Sequence, residues 1–403
     1  MTRLRKVRMT NWRSIADAEI VLHDGAPTLL YGDNDAGKSN VLAGVEAFCR
    51  LASHAVTRGH VRAGDSFGWV EHTSGAAPDD VLELGHPIRY GTTRATLAGS
   101  LVNDEGVECT LRFDITLDPY AADEDRPVRT VEVVAIDGSA PVALRPALRI
   151  GEGRTFHEEF LPDRRSTGPD AQVAPDGAGV KLALFRCANH VRPELRARFH
   201  VDFKRMVESS PFALPEPLVA VGQHLEIQIL LGEGPIEHRG AGPQQWVLAA
   251  AMIATDAPDI VLFEEPETNL SWGAQQRLVD MLREASTERQ LVVATHSPHL
   301  GNLAGTAGNW YEVRRDVGGE TILRQRVGVD SLWQSYGPTL ETAIDAGDPR
   351  KLTLFPGNLI RIHEAGVHHL GIEAGGVVVT SLDEGGVIRM QSLEAWLADA
   401  PGE

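Results

Sequence analysis

Leu29-Leu30-Tyr31-Gly32-Asp33-Asn34-Asp35-Ala36-Gly37-Lys38-Ser39-Asn40 decides the fold. An apolar run, a G-x-x-x-x-G-K-S loop and a helical pattern from Val41 to Phe48 follow one another. That is the order a phosphate-binding loop needs. Gly32 and Gly37 allow backbone N–H groups to turn inward around a phosphate chain. The helix that starts near Lys38 adds its positive end. Lys38 is expected at the β and γ phosphates, and the Ser39 hydroxyl on Mg²⁺. The plainer reading is a glycine turn ahead of a helix, and the second half of the chain argues against it.

Asp259-Ile260-Val261-Leu262-Phe263-Glu264-Glu265-Pro266-Glu267 is an apolar strand that ends in acids. Glu264 is placed to hold the hydration shell of Mg²⁺, and Glu265 to orient or deprotonate an attacking water. Alone, the same residues read equally well as a strand running into an acidic helix start. Leu291 to Thr295 is the next apolar strand, followed by His296. A neutral imidazole there can bond the γ-phosphate or the water, although a lone loop histidine is more often merely satisfied. Arg239-Gly240-Ala241-Gly242-Pro243-Gln244-Gln245 precedes an apolar helix, Trp246 to Ala254. Gly240 and Gly242 at a helix start make a second anion site. With the first loop already holding phosphates, it would serve the nucleotide of a partner subunit. A capping turn is the plainer alternative.

The chain has 403 residues, 42% of them hydrophobic, an ordinary soluble composition. No apolar run approaches the roughly 18 residues of a membrane span. The first eleven residues lack a signal-peptide core. Cys49, Cys109 and Cys187 have no metal spacing and read as reduced thiols, so the cytoplasm is expected. A net charge of −18 confines any nucleic-acid contact to a local patch. Arg3, Arg5, Lys6, Arg8 and Arg13 form one candidate, and a solvated strand face explains them equally well.

Along the chain, hairpins are expected around 103–106 and around Asp137-Gly138. The first helix is expected over 38–52, with 53–90 unassigned. Residues 151–179 read as a long surface loop or mobile lid. Residues 180–208 read as helix, divided at Pro193. Leu218 to Leu231 reads as a strand pair broken at Gly222-Gln223. No heptad run suggests a coiled-coil arm.

These motifs resemble a family. N-W-R-S-I near the start, G-D-N-D-A-G-K-S-N, R-G-A-G-P-Q-Q, V-L-F-E-E-P-E-T-N-L and A-T-H-S-P look like the ABC-type ATPases of the RecF, SMC and OLD group, which act in DNA repair and phage defence. The resemblance covers residues 1–50 and about 225–300. It implies that Gly32, Asn34, Asp35, Ala36, Gly37, Lys38, Ser39 and Asn40 bind ATP as Walker A. Ser39 and Glu264 would hold Mg²⁺, Glu265 would be the catalytic carboxylate and His296 the switch histidine. Arg13 matches an arginine near the nucleotide. Gly240 and Gly242 match the signature loosely, with Ala241 where a serine is usual. OLD nucleases carry a Toprim domain with a D-x-D pair, and no D-x-D follows His296 here.

The expected fold is therefore α/β: a P-loop sheet of ABC-ATPase type with an N-terminal antiparallel β-subdomain. The expected divisions are an N-terminal half over 1–150, a loop and helical insertion over 151–225, a C-terminal half over 226–300 and a small α+β tail over 301–403. The expected function is that of a dimeric, ATP-hydrolysing sensor or motor with a separately encoded effector, such as a nuclease. A regulatory ATP-binding protein with little turnover, or a transporter's nucleotide-binding subunit, are the alternatives.

Overall fold

The structure is a computed structural model. It describes residues 2–60, 62–70, 81–83, 87–103, 105–117, 128–138, 147–161, 173–232, 234–255, 259–297, 300, 309–327, 359–363, 366–373, 376–382 and 388–392. Strands β1 (Arg3–Trp12) and β2 (Ile15–Val21) form a hairpin, and β3 (Thr28–Tyr31) leads into the glycine loop and helix α1 (Lys38–Arg58). Gly59, at φ 75°, ends α1 six residues past the expected end. β4 (Ser66–Val70) and β5 (Val81–Glu83) lie in the stretch left unassigned from sequence. β6 (Arg94–Val102), β7 (Glu108–Leu117), β8 (Val128–Gly138) and β9 (Leu148–Ile150) complete the first part.

α2 (Val180–Ala188) and α3 (Pro193–Glu208) follow, divided where Pro193 was expected to divide them. Then come β10 (Pro217–Val221), β11 (Ile227–Leu231), the two-residue β12 (Gly234–Pro235), α4 (Ala241–Ala254), β13 (Ile260–Glu264), α5 (Trp272–Ser286) and β14 (Gln290–Thr295). β15 (Asn309–Arg315), β16 (Thr321–Val327), β17 (Leu359–His363), β18 (Gly366–Glu373), β19 (Gly376–Leu382) and β20 (Ile388–Ser392) end the described chain.

The central sheet has the order β16-β15-β3-β14-β13-β9, parallel from β15 to β9 with β16 antiparallel at its edge. Its inner strands are continuous apolar runs because both faces are covered. Alternation then divides them between two cores. Leu30, Ile260, Leu262, Val292, Ala294, Tyr311 and Val313 face α1. Leu29, Tyr31, Val261, Phe263, Leu291, Val293 and Trp310 face the second core, which α2–α5 help build. Behind α1 lies a second sheet, β2-β1-β6-β7-β8-β4-β5. Gly44 lets β1 approach α1, since an added Cβ would fall 2.2 Å from Met9 Sδ. The Gln290 side chain accepts from the Leu4 N–H at 2.8 Å and donates to the Leu4 carbonyl at 2.9 Å, joining the two sheets. β10–β12 form a small sheet, and β17–β20 an antiparallel one.

Several expectations change. Asp137 and Gly138 lie in β8, paired with Thr110 and Cys109, so they are not a turn; the second strand of the hairpin expected there falls on residues outside the described ones. Residues 151–179 are not simply a surface lid, because Arg154 is 1% exposed. A tail beginning at 301 would separate β15 and β16 from the sheet they complete, since β15 pairs in parallel with β3. Among the described residues beyond 300 the named elements are strands; the remainder of the expected α+β tail lies outside the described residues. The N-terminal cations are largely paired: Arg3 with Asp24, Lys6 with Glu19 and Arg8 with Asp17. The solvated-face reading therefore gains over a nucleic-acid patch. Among the described residues, no helix is long and apolar enough to cross a membrane.

Candidate active site

The loop between β3 and α1 is shaped by what lies against it. Gly37 sits at φ 101°, where only glycine is unstrained. An added Cβ there would fall 2.0 Å from Thr321 Oγ1, and one at Gly32 would fall 2.1 Å from the Val313 carbonyl. Both glycines of the motif are thus fixed by β15 and β16. Thr321 also donates its N–H to the Ser14 carbonyl. Asn40 donates to Ser14 Oγ at 2.6 Å, and Trp12 Nε1 donates to the Asn40 carbonyl at 3.0 Å. Arg13, at φ 47° in the β1–β2 turn, lies 3.5 Å from Asn40 Oδ1. Burial, and then the charge of Arg149, lower its guanidinium pKa. The N-W-R-S stretch is the turn that braces the start of α1.

Lys38 is buried and curled over the loop, with Nζ 2.8 Å from the Gly32 carbonyl, 2.9 Å from that of Asp33 and 3.5 Å from Glu265 Oε1. Ser39 Oγ donates to Glu264 Oε1. Arg149, from β9, holds the other Glu264 oxygen at 2.8 Å and approaches Glu46 at 3.6 Å. A hydroxyl and a carboxylate on one spot are the hard oxygen donors that Mg²⁺ prefers, so the residues fit that ion.

Glu265 follows β13 in a left-handed conformation, φ 42°. For a residue with a side chain this costs about 1–3 kcal/mol and persists only where the surroundings enforce it. Its N–H donates to the Ala294 carbonyl at 2.8 Å, and its Oε1 lies 3.0 Å from His296 Nδ1. Burial pushes the Glu265 carboxyl up, but the hydrogen bond and charge of His296, with Lys38, outweigh it and hold it low. The same bond to Glu265 raises His296, against burial. Glu267 is buried and takes a hydrogen bond from Thr295. Desolvation raises its carboxyl pKa. It also lies 3.8 Å from His296.

Asn34, Asp35, Ala36, Gly37, Lys38, Ser39, Asn40, Glu264 and Glu265 line one open pocket of about 400 Å³, with Glu152 and Arg315. Arg13, Gly32 and His296 do not line it, and neither do Gly240 and Gly242. They lie at the start of α4, where Gly240 is the N-cap. An added Cβ at Gly240 meets nothing within 4 Å, whereas one at Gly242 meets Phe212 and the Asn269 carbonyl. Sequence reasoning missed Arg149, Glu152, Arg315 and Thr321. Arg149, in Leu148-Arg149-Ile150, was legible only as a charge in a short apolar run. Arg315 was assigned to the tail, although its Nη2 lies 3.2 Å from Asp35.

With this geometry in hand, the chain can be set beside known proteins. A head of an SMC protein solved with the C-winged helix domain of ScpA superposes with a TM-score of 0.50, at 14% identity, over 81% of this chain and 99% of that one. The fold is that of an ABC-type P-loop NTPase. The SMC head domain from Thermotoga maritima gives a TM-score of 0.44 at 15% identity, over 80% and 99% of the two chains. An Smc head with an extended coiled coil, bound to the C-terminal domain of ScpA derived from Pyrococcus furiosus, gives 0.47 at 14%, over 84% and 99%. Residues 231–301, from the end of β11 through α4, β13, α5 and β14, match the family model described as an AAA domain, putative AbiEii toxin, type IV TA system. No curated protein sequence matches the chain. In this ABC-type fold the pocket opens at the carboxyl ends of β3 and β13, where parallel sheets place their ligands.

Proposed function

We propose that the protein is an ATP hydrolase working as a nucleotide-gated homodimer. The observation that carries this reading is the meeting of Lys38, Ser39, Glu264 and Glu265 at one pocket, with His296 against Glu265, although 225 residues separate Ser39 from Glu264. ATP would lay its phosphates along the N–H groups of residues 34–39. Lys38 would leave the Gly32 and Asp33 carbonyls and Glu265 for the β and γ phosphates. Ser39 and Glu264 would hold Mg²⁺, which when bound supplies compensation for the phosphate charge. Arg149 keeps the second Glu264 oxygen oriented. Glu265 orients the attacking water and accepts its proton. Once Lys38 turns to the phosphates, one of the interactions holding the Glu265 carboxyl low is gone, and it becomes a better base. His296, with Nδ1 3.0 Å from Glu265 Oε1, aligns that carboxylate.

In the dimer, Gly240 and Gly242 of one subunit would face the ATP of the other, closing and reopening with the nucleotide cycle. The open space beside Gly240 supports that surface. The match to an AbiEii-type model favours a role in defence over DNA repair. A separate effector such as a nuclease is proposed to give the output. The SMC head solved with a ScpA domain is a precedent for a bound partner polypeptide. Phosphate release from Mg²⁺-ATP tests the reading. Turnover slowed by roughly 10²–10⁴-fold in Glu265→Gln supports it, while tight binding without turnover in the parent chain would favour a regulatory ATP-binding protein instead.

A further inference from the structure

Arg154 is a buried arginine that no part of the proposed reaction uses. It is 1% exposed and lies in the segment between β9 and α2. Its Nη1 donates to the Gly151 carbonyl at 2.9 Å and the Glu264 carbonyl at 3.1 Å, and its Nη2 to the Pro266 carbonyl at 3.1 Å. The Glu265 carbonyl is at 3.4 and 3.5 Å from the two nitrogens. The guanidinium also stacks over Phe263, 5.0 Å from the ring centroid. Three consecutive carbonyls, from Glu264 to Pro266, therefore curl around one planar cation. A guanidinium can do this because its donors are fixed in a fork, which a lysine ammonium lacks.

The turn so gathered is the one that holds Glu265 in its left-handed conformation. Arg154 grips the carbonyls before and after that residue. Thr268 also donates to the Glu265 carbonyl, from Oγ1 at 2.9 Å and from its N–H at 3.1 Å, and the Glu265 N–H is held by the Ala294 carbonyl, so the turn has further holds. Burial lowers the guanidinium to about 10, against the pull of Glu267, Glu152, Glu264 and Glu265, and it stays charged at neutral pH. From its own carbonyl Arg154 accepts a hydrogen bond from Gln245 Nε2 at 3.0 Å, and Gln245 lies in the first turns of α4. One residue thus joins the carboxylate turn to the helix that begins at Gly240.

We infer that Arg154 is the positioning residue for Glu265. It sets the turn that aims the carboxylate at Lys38 and His296, and Gln245 seats Arg154 against α4. The inference rests on the proposed ATPase reading for its effect on turnover, but the geometric claim stands apart from it.

The test uses the full-length chain with Arg154→Met, Arg154→Lys and Gln245→Met. Two quantities are read: ATP turnover with nucleotide affinity, and the titration of His296 by NMR in nucleotide-free protein, assigned by the resonance lost in His296→Asn. Arg154→Met is expected to lower kcat by about 10²-fold, the effect of displacing a reacting group by roughly 1 Å. ATP affinity should change far less than kcat, since a displaced Glu265 leaves Lys38 as well as His296 and so does not hold the lysine back from the phosphates. His296 should titrate closer to its ordinary value, because Glu265 no longer sits against it. Arg154→Lys should fall between parent and Met, and Gln245→Met should show a smaller change of the same kind.

If Arg154→Met does not fold, the lysine and Gln245 variants carry the test. An unshifted His296 titration in the folded variants overturns the inference, whatever happens to turnover. Loss of kcat and affinity in equal measure also overturns it, as that is general structural damage. A parent chain that never hydrolyses ATP defeats the functional reading alone, and the His296 titration still decides on Arg154.

Discussion

Cutting the chain after residue 308 removes β15 and β16, and the structure says what that costs. Trp310 and Val313 are fully buried and Tyr311 nearly so, on opposite faces of the central sheet. Loss of a buried tryptophan costs about 3–5 kcal/mol, and of the other two side chains about 1.5–3 kcal/mol each. The total, about 6–11 kcal/mol, is of the order of a whole domain's stability, about 5–15 kcal/mol. It omits the parallel ladder to β3, the Tyr311 hydroxyl that accepts from the Val21 N–H at 2.8 Å, and the walls against Gly32 and Gly37. A chain of residues 1–308 is therefore expected to show no cooperative melt and no nucleotide binding. A chain of residues 1–327 keeps the hairpin and is expected to show both. Circular dichroism melting and equilibrium binding of a fluorescent ATP analogue measure the two. A cooperative melt and parental affinity in the 1–308 chain would refute the reasoning and restore a dispensable tail from residue 301.

Further outcomes follow from the site. Lys38→Ala should abolish ATP binding, whereas Glu265→Gln should keep binding and slow hydrolysis by roughly 10²–10⁴-fold; equal loss of binding in both would contradict separate roles. Gly240→Trp should block the ATP-dependent dimer of a Glu265→Gln chain in sedimentation without lowering its melting temperature, since its Cβ points into open space. Gly242 is the poorer probe, because a side chain there strikes Phe212 within the same subunit. The Glu265–His296 pair, with Lys38 and Glu267 beside it, ties stability to pH. His296 is raised, so its share is present below its ordinary pKa and fades as pH rises through the raised value. Glu265 is lowered, so its share is present above its ordinary pKa and fades as pH falls through the lowered one. The melting difference between parent and His296→Asn should accordingly be widest between those limits and shrink on both sides; a difference independent of pH would show that the pair carries no linked charge.

Much of this molecule was legible because its signals are local. The glycine loop, the acids ending β13 and the histidine ending β14 each sit where an apolar strand stops, and such strands are read from a few consecutive residues. The two-helix insertion was legible from Pro193, and the β6–β7 hairpin from its turn residues. What escaped depends on pairing between distant segments. Nothing in Trp310-Tyr311-Glu312-Val313 says that it lies beside Thr28–Tyr31, nearly three hundred residues earlier, rather than in a separate tail. Asp137-Gly138 has turn chemistry, yet β8 runs through it because Thr110 and Cys109 offer partners there. Arg154 was hidden for the same reason, since a polar, glycine-rich neighbourhood reads as surface until its guanidinium finds the turn from Glu264 to Pro266.

On the proposed reading, the cations of the site show how a chain this acidic would hold a polyanion. Lys38 faces Glu265, Arg149 lies between Glu264 and Glu46, and Arg315 is on Asp35. A buried charge left without a partner costs several kcal/mol, so a site awaiting phosphate has to satisfy its lysine internally. Binding is then an exchange of partners, with phosphate replacing the carbonyls and Glu265 around Lys38. The exchange stays cheap on the carboxylate side because Glu265 keeps His296 when Lys38 leaves. By the same logic Lys38→Ala should fold, its Glu265 still paired. Loss of His296 leaves Glu265 to Lys38 alone, so the lysine is then held back from the phosphates. On that reading His296 would serve binding as well as chemistry, and its removal should weaken ATP affinity in addition to turnover, which a histidine acting on the water alone would not do.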